Sequence, residues 1–273
     1  LQADYEDGVI KFTAESDALI VKGIIALDLD GTLLQKDGTL PSDTFSVIHA
    51  LREKGILFCA ASGRQYANLR RLFAPVADDI CYISENGSYV TAQGQCAAQT
   101  IGAEHALPLI QDILDAGMEV LLSIPESSVM LTGASRTFTD DIFYRLKNTC
   151  TMVHDPAVYA EQYIKISGFH PDGVTHLAKP LQEKWGQIMH ADIAGQKWLD
   201  FTMTNKSDGI HILSRLLGID TADMAAFGDQ FNDLAMLQAV GHPFLMENAP
   251  DEMKRLRFSL CHHVLDTIRN IAL

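Results

Sequence analysis

The 273-residue sequence has no long hydrophobic run and few positive charges, and both absences narrow the possible functions. No apolar stretch approaches the roughly 18–20 residues that a membrane-spanning helix needs, so we predict no membrane partner. Lysine and arginine number 21 against 35 aspartates and glutamates, which gives a formal charge of −14. A surface of that sign repels phosphate backbones, which argues against nucleic acid as a partner.

The sequence is also poor in cysteine patterns and in targeting signals. Its five cysteines are scattered, with no CxxC pair and no zinc-like spacing, which predicts reduced thiols and a cytoplasmic protein. The first residues lack the basic segment followed by an apolar segment that marks a secretion signal. Residues 1–22 are treated as an N-terminal extension, and three alternatives stay open: a processed end, a cloning remnant or an additional strand.

Short apolar runs alternate with helical patterns in the first third of the chain. The segments "GIIALDLD" and "ILFCAASGR" have the unbroken apolar character of strands that are buried on both faces. Between them, "SDTFSVIHALREKG" begins with a capping signal and ends at Gly55, as a helix does. Buried strands joined by helices indicate a parallel sheet with right-handed crossovers. The predicted fold class is therefore α/β.

The pattern changes after Gly87 and returns at Lys206. The segment "SYVTAQGQCAAQT" is typical of a hairpin around its Gln-Gly pair, and the helices and short strands beyond it have an α+β character. We therefore predict a core formed by residues 23–86 and 201–273, with residues 87–200 inserted as a second domain.

Three clusters of polar residues directly follow predicted core strands, and a lysine precedes a helix between the last two: Asp28 and Asp30, Ser62, Lys206, and Asp229 and Asp233. Ligands of open α/β sheets bind beyond the carboxyl ends of the strands. Two carboxylates after an apolar strand are unfavourable unless a cation compensates them. Carboxylate oxygens suit Mg²⁺, and a lysine neutralises phosphate. These residues predict Mg²⁺ as the cofactor and a small phosphorylated molecule as the substrate.

Four segments, in order, resemble the four motifs of the haloacid dehalogenase (HAD) superfamily: "DLDGTLL", "ASGR", Lys206 and "GDQFNDLAML". The segment "SENGS" after the third strand, and the long insert beyond it, are similar to the Cof-type, class IIB phosphatases. The resemblance covers the chain from about residue 23 to its C-terminus. It implies a Rossmannoid parallel-sheet core with an inserted α+β cap domain that determines substrate specificity.

The resemblance also implies a role for each matching residue. Asp28 would be the nucleophile that forms an aspartyl-phosphate, and Asp30 would be the general acid and then the base that activates water. The phosphate would be bound by five residues, the first two through their backbone N–H groups: Leu29, Gly63, Ser62, Lys206 and Asn232. Mg²⁺ would be bound by four residues, the second through its main-chain carbonyl: Asp28, Asp30, Asp229 and Asp233.

The predicted function is a Mg²⁺-dependent phosphatase that hydrolyses small phosphorylated metabolites, such as a sugar phosphate or a cofactor- or nucleotide-like phosphate. Two alternatives stay open: a phosphomutase, and a phospho-accepting signalling module with a similar set of Asp, Ser/Thr and Lys. Asp30 favours the hydrolase over the signalling module, because a leaving group must be protonated. The sequence does not separate a phosphatase from a mutase, and it does not indicate an oligomeric state.

Some segments depart from the family pattern or allow two interpretations. Ser207 and Asp208 follow the motif lysine, where the family has glycine, and either could cap the next helix. The chain after residue 240 keeps an "NAP" stretch at Asn248 but little of the expected glycine-rich loop, which leaves the far edge of the site open. Arg64 is expected to contact substrate or to form a surface ion pair. Lys165 could contact substrate, but a structural or solvent-exposed role is expected.

Overall fold

The computed structural model describes the backbone of residues 2–6 and 9–13 and the whole of residues 22–272. Within these ranges the chain forms a ten-stranded sheet and a six-stranded sheet. The strands of the larger sheet are β1 (Gln2–Glu6), β2 (Val9–Thr13), β3 (Gly23–Leu27), β4 (Ile56–Ala61), β5 (Cys81–Ser84), β6 (Tyr89–Ala92), β7 (Gln95–Gln99), β14 (Met224–Gly228), β15 (His242–Met246) and β16 (Ser259–Cys261). The strands of the smaller sheet are β8 (Glu119–Ile124), β9 (Ser127–Leu131), β10 (Cys150–Val153), β11 (Lys165–Phe169), β12 (His190–Ala194) and β13 (Trp198–Thr202).

The α-helices of the described residues connect and flank these strands. They are α1 (Thr44–Glu53), α2 (Tyr66–Leu72), α3 (Ala103–Asp115), α4 (Arg136–Asp140), α5 (Thr175–Trp185), α6 (Lys206–Leu217), α7 (Leu234–Ala239), α8 (Asp251–Lys254) and α9 (Val264–Ala272). None of these helices has the length and apolar character that a bilayer-spanning segment would need.

The larger sheet is built around parallel strands in the order β5-β4-β3-β14-β15-β16. Strand β3 is fully buried because helices cover both faces of the sheet. Ile25 and Leu27 pack with α1, α2 and α9, while Ile24 and Ala26 pack with α6 and α7 on the other face. The predicted α/β class with a parallel-sheet core is confirmed.

The predicted limits of the insert, residues 87 and 200, do not coincide with the two sheets. The predicted hairpin forms as β6 and β7, but β6 pairs with β5, so the hairpin extends the larger sheet. The strand Trp198–Thr202 belongs to the smaller sheet. An antiparallel continuation of a sheet has the same alternating pattern as a hairpin of a separate domain, and the sequence could not distinguish them.

The N-terminal strands also belong to the larger sheet. Strand β1 pairs with β2, and β2 pairs with β7, both antiparallel. The described part of residues 1–22 therefore agrees with the third alternative, additional strands, and the strands lengthen the sheet at the edge farthest from β16.

One face of the smaller sheet packs on helices, and the other packs partly on α4 and otherwise faces the larger sheet across a cleft. Its order is β10-β9-β8-β11-β13-β12. Helices α3 and α5 bury one face in a core that includes Ile166, Leu199 and Phe201. The alternate residues of the same strands point the other way. Of these, Ser167 and Asp200 line a cleft between the two sheets.

Candidate active site

The predicted site residues meet at one edge of the larger sheet. Asp28, Ser62 and Asp229 each follow a strand, namely β3, β4 and β14, and these strands are parallel neighbours. Their carboxyl ends therefore lie side by side. The three residues line a cleft of about 1200 Å³ whose opposite wall is the smaller sheet.

Lys206 lies at the centre of a buried charge cluster. Its Nζ atom donates to Asp28 Oδ1 at 2.5 Å and to Asp233 Oδ1 at 2.6 Å, and the residue is only 2% exposed. Burial raises the pKa of Asp28 to about 7 although Lys206 opposes the shift. Burial lowers the pKa of Lys206, but the two carboxylates outweigh it and hold that pKa above its ordinary value. The lysine therefore remains charged.

Lys206 is held in this position by the start of helix α6. The cap of the helix is Asn205, whose side chain accepts from the N–H groups of Ser207 and Asp208, at 2.7 and 3.3 Å. Asp208 Oδ2 accepts in return from the N–H of Asn205, at 2.8 Å, which completes a capping box. The prediction that Ser207 or Asp208 caps the helix is therefore wrong, because the cap is Asn205, although the Asp208 side chain belongs to the capping box.

Asp233 organises the loop that carries Asp229. Its Oδ2 atom accepts from the N–H groups of Asp229 and Gln230, at 3.0 and 3.1 Å, while Oδ1 is bonded to Lys206. Both oxygens of Asp233 are therefore engaged within the protein. This carboxylate fixes the loop and the lysine together.

Asp229 is held by neutral donors rather than by a cation. Its Oδ2 atom accepts from the amides of Gln230 and Asn248, each at 3.1 Å, and Oδ1 accepts from Thr32 at 3.5 Å. Burial raises the pKa of Asp229, and the hydrogen bond from Gln230 opposes the shift. Asn248 also donates to the carbonyl of Gly31, at 3.0 Å. The segment around Asn248, which the sequence did not place relative to the site, therefore closes one side of it.

The buried carboxylates have the composition of a divalent-cation site. One oxygen from each of Asp28, Asp229 and Asp233 lies within 4.8 Å of the others. Three carboxylates face one lysine, so a further positive charge is needed, and hard oxygen donors suit Mg²⁺. At Gly31, where φ is +90°, a Cβ atom would lie 2.3 Å from Asp229 Oδ2, so the turn needs glycine to approach this closely.

Asp30 lies apart from this cluster. Its carboxylate is 64% exposed and accepts two hydrogen bonds from Arg64, from Nε at 3.1 Å and from Nη2 at 2.6 Å. Of the two interpretations of Arg64, the described contacts are those of an ion pair. Both residues line the same cleft as Asp28.

The predicted phosphate-binding residues divide into two groups. Ser62, Gly63 and Asn232 line the cleft with Lys206, and Ser62 Oγ accepts from the N–H of Arg64 at 3.2 Å. Asn232 is exposed there. The side chain of Leu29 packs in the hydrophobic core and is absent from the described lining, so only its backbone could serve a phosphate.

A second buried charge cluster joins the smaller sheet to the loop that carries Ser62 and Gly63, and the sequence indicated only its lysine. Lys165 Nζ lies 2.5 Å from Glu85 Oε2 and 3.6 Å from Asp200 Oδ2, and it donates to the carbonyl of Gly63 at 2.9 Å. Burial lowers the pKa of Lys165, but Asp200 and Glu85 outweigh it and raise that pKa. The signal available was a charged residue inside each of the buried strands "KISGF" and "WLDFT".

The amide of Gln65 also bridges the two sheets. Its Nε2 atom donates to Ser128 Oγ at 2.8 Å and to the carbonyl of Thr149 at 3.0 Å, and its Oε1 accepts from the N–H of Thr149 at 3.0 Å. Gln65 directly precedes α2 in the core, whereas Ser128 lies on β9. These bonds hold the smaller sheet over the cleft.

Comparison with known proteins identifies the family. Residues 25–268 match the haloacid dehalogenase-like hydrolase family. The chain is 29% identical over 241 residues to the 5-amino-6-(5-phospho-D-ribitylamino)uracil phosphatase YbjI of Escherichia coli strain K12, covering 83% of this chain and 85% of that protein. It is 28% identical over 257 residues to the HMP-PP phosphatase of Escherichia coli O157:H7, covering 88% of each.

Solved structures agree with this result. A crystal structure of a protein from Eubacterium rectale superimposes with a TM-score of 0.81 at 26% identity, covering 92% of this chain and 99% of that chain. The structure of a HAD subclass IIB sugar phosphatase shares the fold, with a TM-score of 0.73 at 20% identity, covering 90% and 98% of the two chains. The predictions of a HAD relationship and of an enzyme are confirmed, and the chain belongs to the haloacid dehalogenase-like hydrolases. The class IIB assignment stays a prediction, because the subclass IIB structure shares the fold at only 20% identity.

Proposed function

We propose that this protein is a Mg²⁺-dependent phosphatase that hydrolyses small phosphorylated metabolites through an aspartyl-phosphate on Asp28. The observation that supports the proposal most directly is a buried group in which Asp28, Lys206 and Asp229 line the cleft and Asp233 lies behind them. Phosphoryl transfer needs mainly positioning and neutralisation of charge, and this group offers both. The two named phosphatases that resemble the chain also act on small phosphorylated compounds.

Asp28 is the nucleophile in this proposal. Oδ1 accepts from Lys206, whereas Oδ2 accepts no hydrogen bond from the residues that the structure describes, so Oδ2 is the atom available for attack. As Oδ2 bonds to phosphorus, the bond from phosphorus to the leaving oxygen breaks. Water then attacks the phosphorus of the aspartyl-phosphate, the bond to Oδ2 breaks, and inorganic phosphate is released.

Asp30 is the general acid and base. It donates a proton to the leaving oxygen in the first step and accepts one from the attacking water in the second. The bidentate ion pair with Arg64 occupies both of its oxygens, so Arg64 has to shift before the proton can move. A phosphorylated substrate offers the guanidinium another anion, which gives that shift a driving force.

The remaining predicted residues bind the phosphate and the metal. Ser62, Lys206, Asn232 and the N–H groups of Leu29 and Gly63 are proposed to hold the phosphate oxygens. Asp28, Asp229, Asp233 and the carbonyl of Asp30 are proposed to hold Mg²⁺, which neutralises the carboxylates and the phosphate when it is bound. Since both oxygens of Asp233 are already engaged, we assign it a contact through water.

The smaller sheet and its helices are proposed to act as the cap that determines substrate specificity. Residues of this sheet form the wall of the cleft opposite Asp28, where a leaving group would lie. Closure of such a wall excludes water and favours reaction of the bound substrate. A cytoplasmic location remains a prediction from the scattered cysteines.

Hydrolysis of p-nitrophenyl phosphate tests the proposal. We expect turnover with Mg²⁺, none with EDTA, and a decrease of roughly a thousandfold or more in Asp28→Asn. The matched control is Asp172→Asn, an exposed aspartate outside the cleft, which should keep wild-type turnover. Turnover that survives Asp28→Asn and EDTA would contradict the proposal. Labelling of Asp28 by acetyl phosphate without turnover would favour the mutase or signalling alternatives.

A further inference from the structure

The face of the smaller sheet that lines the cleft carries polar residues in two rows. In the first row, His190 on β12 is opposite Thr202 on β13, and Lys165 and Thr202 adjoin the paired residues Ile166 and Phe201 of β11 and β13. Ser167, Asp200 and Asp192 are opposite one another in the second row. All six residues line the cleft. A leaving group extending from the phosphate site therefore meets hydrogen-bonding side chains on this wall.

The second row contains an unfavourable pair of like charges. Asp192 and Asp200 are directly opposite in the antiparallel pair of β12 and β13, on the same face. Like charges at such positions destabilise a sheet. Asp200 accepts from Ser167 at 2.6 Å and lies 3.6 Å from Lys165, but the exposed side chain of Asp192 has no partner among the described residues. Natural proteins keep unfavourable pairs of this kind mainly at functional sites, so a like-charge pair on the wall of a cleft indicates a role in binding.

The positive charges of the cleft are already compensated by carboxylates of the protein. Among the described lining residues, each cation has a carboxylate partner within 2.6 Å: Arg64 with Asp30, Arg145 with Asp141, Lys165 with Glu85 and Lys206 with Asp28. The electrostatic field of this wall is therefore set by its unpaired carboxylate, which repels negative charge.

The same strand face carries a buried donor, the indole N–H of Trp198, whose ring packs against Phe138 and Phe169. Trp198 is two residues before Asp200 on the same face of β13 and lines the cleft. The residue is only 8% exposed, and its indole N–H has no hydrogen-bond partner among the described residues. A buried donor without a partner is rare and costly. Two acceptors and one donor together match hydroxyl groups, which both donate and accept.

We propose that Asp192, Asp200 and Trp198 form a leaving-group subsite that accepts hydroxyl or amino groups and excludes anionic groups. The inference rests on the proposed phosphatase function and narrows its substrates to phosphate esters of neutral or cationic, donor-rich compounds. Phosphate esters that carry a carboxylate at the far end of the leaving group are poor substrates for the same reason.

Three matched sugar phosphates test this subsite. Glucitol 6-phosphate, which is uncharged beyond the phosphate, serves as the control for the open chain of 6-phosphogluconate. Glucosamine 6-phosphate, glucose 6-phosphate and 6-phosphogluconate share the phosphate and six carbons, and beyond the phosphate they carry an ammonium at C2, no charge and a carboxylate at C1, respectively. We expect kcat/KM to decrease in that order, with the cationic ester favoured over the anionic one by about tenfold or more, as one partly exposed charge interaction allows. A ratio near one in the wild-type enzyme would overturn the inference, and so would hydrolysis of p-nitrophenyl phosphate but of none of the sugars.

The variant Asp192→Asn tests whether the preference for the cationic over the anionic ester arises at this subsite. This variant keeps the shape of an exposed side chain, so it should fold, and we expect it to reduce the ratio of kcat/KM for the cationic to the anionic ester by about tenfold. Asp172→Asn removes the same charge from a cap loop outside the cleft and should leave the ratio unchanged. An equal decrease in both variants, or none in either, would overturn the inference. A wild-type protein without activity on p-nitrophenyl phosphate would instead refute the proposed function, and the inference with it.

Discussion

Asn248 ties the loop that carries Asp229 to the turn that follows β3. Its Nδ2 atom donates to Asp229 Oδ2 at 3.1 Å and to the carbonyl of Gly31 at 3.0 Å. One amide group therefore orients a proposed metal ligand and fixes the backbone beside the proposed nucleophile. Hydrogen bonds of this kind keep a ligand in the geometry that the metal requires.

Asn248→Ala should weaken Mg²⁺ binding without abolishing the fold. Without the amide, Asp229 loses one of its donors, and we expect the Mg²⁺ concentration for half-maximal activity to rise by about tenfold or more. The measurement is a Mg²⁺ titration of p-nitrophenyl phosphate hydrolysis. Asn270→Ala, on the exposed face of α9, is the matched control and should keep the wild-type titration. Identical titrations for the two variants would contradict this role of Asn248.

The part of the site that the sequence predicted lies at the ends of buried strands. Asp28, Ser62 and Asp229 follow short apolar runs whose length and flanks define parallel strands, and parallel strands bring their carboxyl ends together. The topology therefore follows from local patterns. The ion pairs of Lys206 agree with the expectation that it compensates the carboxylates.

The remaining features depend on contacts between distant segments, which local patterns do not encode. Glu85, Lys165 and Asp200 come from three separate strand regions and meet only after both sheets have formed. The acidic pair on β12 and β13 depends on strand register, which is set by the packing of the whole sheet. The ion pair of Arg64 with Asp30 joins the loops after β4 and β3, and the sequence allowed it only as one of two alternatives.

Removing the central lysine should abolish activity and destabilise the protein. In Lys206→Met, the carboxylates of Asp28 and Asp233 remain buried without their cation, and breaking a buried ion pair in this way costs about 3–5 kcal/mol. Urea unfolding measures the free energy and p-nitrophenyl phosphate hydrolysis the activity. The double variant Lys206→Met/Asp233→Asn should recover part of the stability but none of the activity, because the proposed phosphate contact stays absent.

The matched control for this change is Lys184→Met. Lys184 pairs with Asp112 at 2.6 Å but is more than half exposed, and exposed pairs contribute about 0–1 kcal/mol. Its unfolding free energy and activity should therefore stay close to those of the wild-type protein. Equal effects of the two lysine substitutions would contradict a central role for Lys206.

The stability of the metal-free protein should decrease as the pH rises from about 4 to 7. The pKa of Asp28 is raised from 3.8 to about 7 by burial, so in this range the native state binds a proton that the unfolded state has lost. The contribution of Asp28 is complete below pH 4 and decreases by a few kcal/mol on reaching pH 7. Urea unfolding in EDTA at several pH values measures it. Asp28→Asn should remove this part of the slope, and parallel slopes for the two proteins would contradict the assignment.

Mg²⁺ should oppose this loss. A cation bound beside the ionised carboxylate stabilises the native state, and protons compete with it below the raised pKa of Asp28. The increase in Tm on adding Mg²⁺ should therefore be larger at pH 8 than at pH 5. An increase that is equal at both pH values, or larger at pH 5, would contradict a site that includes Asp28.

Lys165 should affect phosphate binding although it is bonded to protein atoms only. It donates to the carbonyl of Gly63, and the loop around Gly63 is also braced by the N–H of Asn86, which donates to the carbonyl of Ser62. Loss of a charged hydrogen bond should raise the inhibition constant of inorganic phosphate by about tenfold in Lys165→Met. The double variant Lys165→Met/Glu85→Gln avoids an unpaired Glu85 carboxylate and should show the same increase. An unchanged inhibition constant in the folded double variant would contradict this role of Lys165. Lys184→Met is again the control.

Gln65→Ala should loosen the contact between the two sheets over the cleft. The variant loses three hydrogen bonds, to Ser128 and to both backbone groups of Thr149, and Gln65 itself is only 3% exposed. When the closed state is less populated, the apparent affinity for substrate falls in proportion, so KM should rise several-fold. A looser contact does not slow product release, so kcat should not decrease. Steady-state kinetics with p-nitrophenyl phosphate separates the two constants. Gln111→Ala, on the exposed side of α3, removes a hydrogen bond within the helix only and should change neither. A decrease in kcat at constant KM would mean that Gln65 acts on the chemical step instead of on closure.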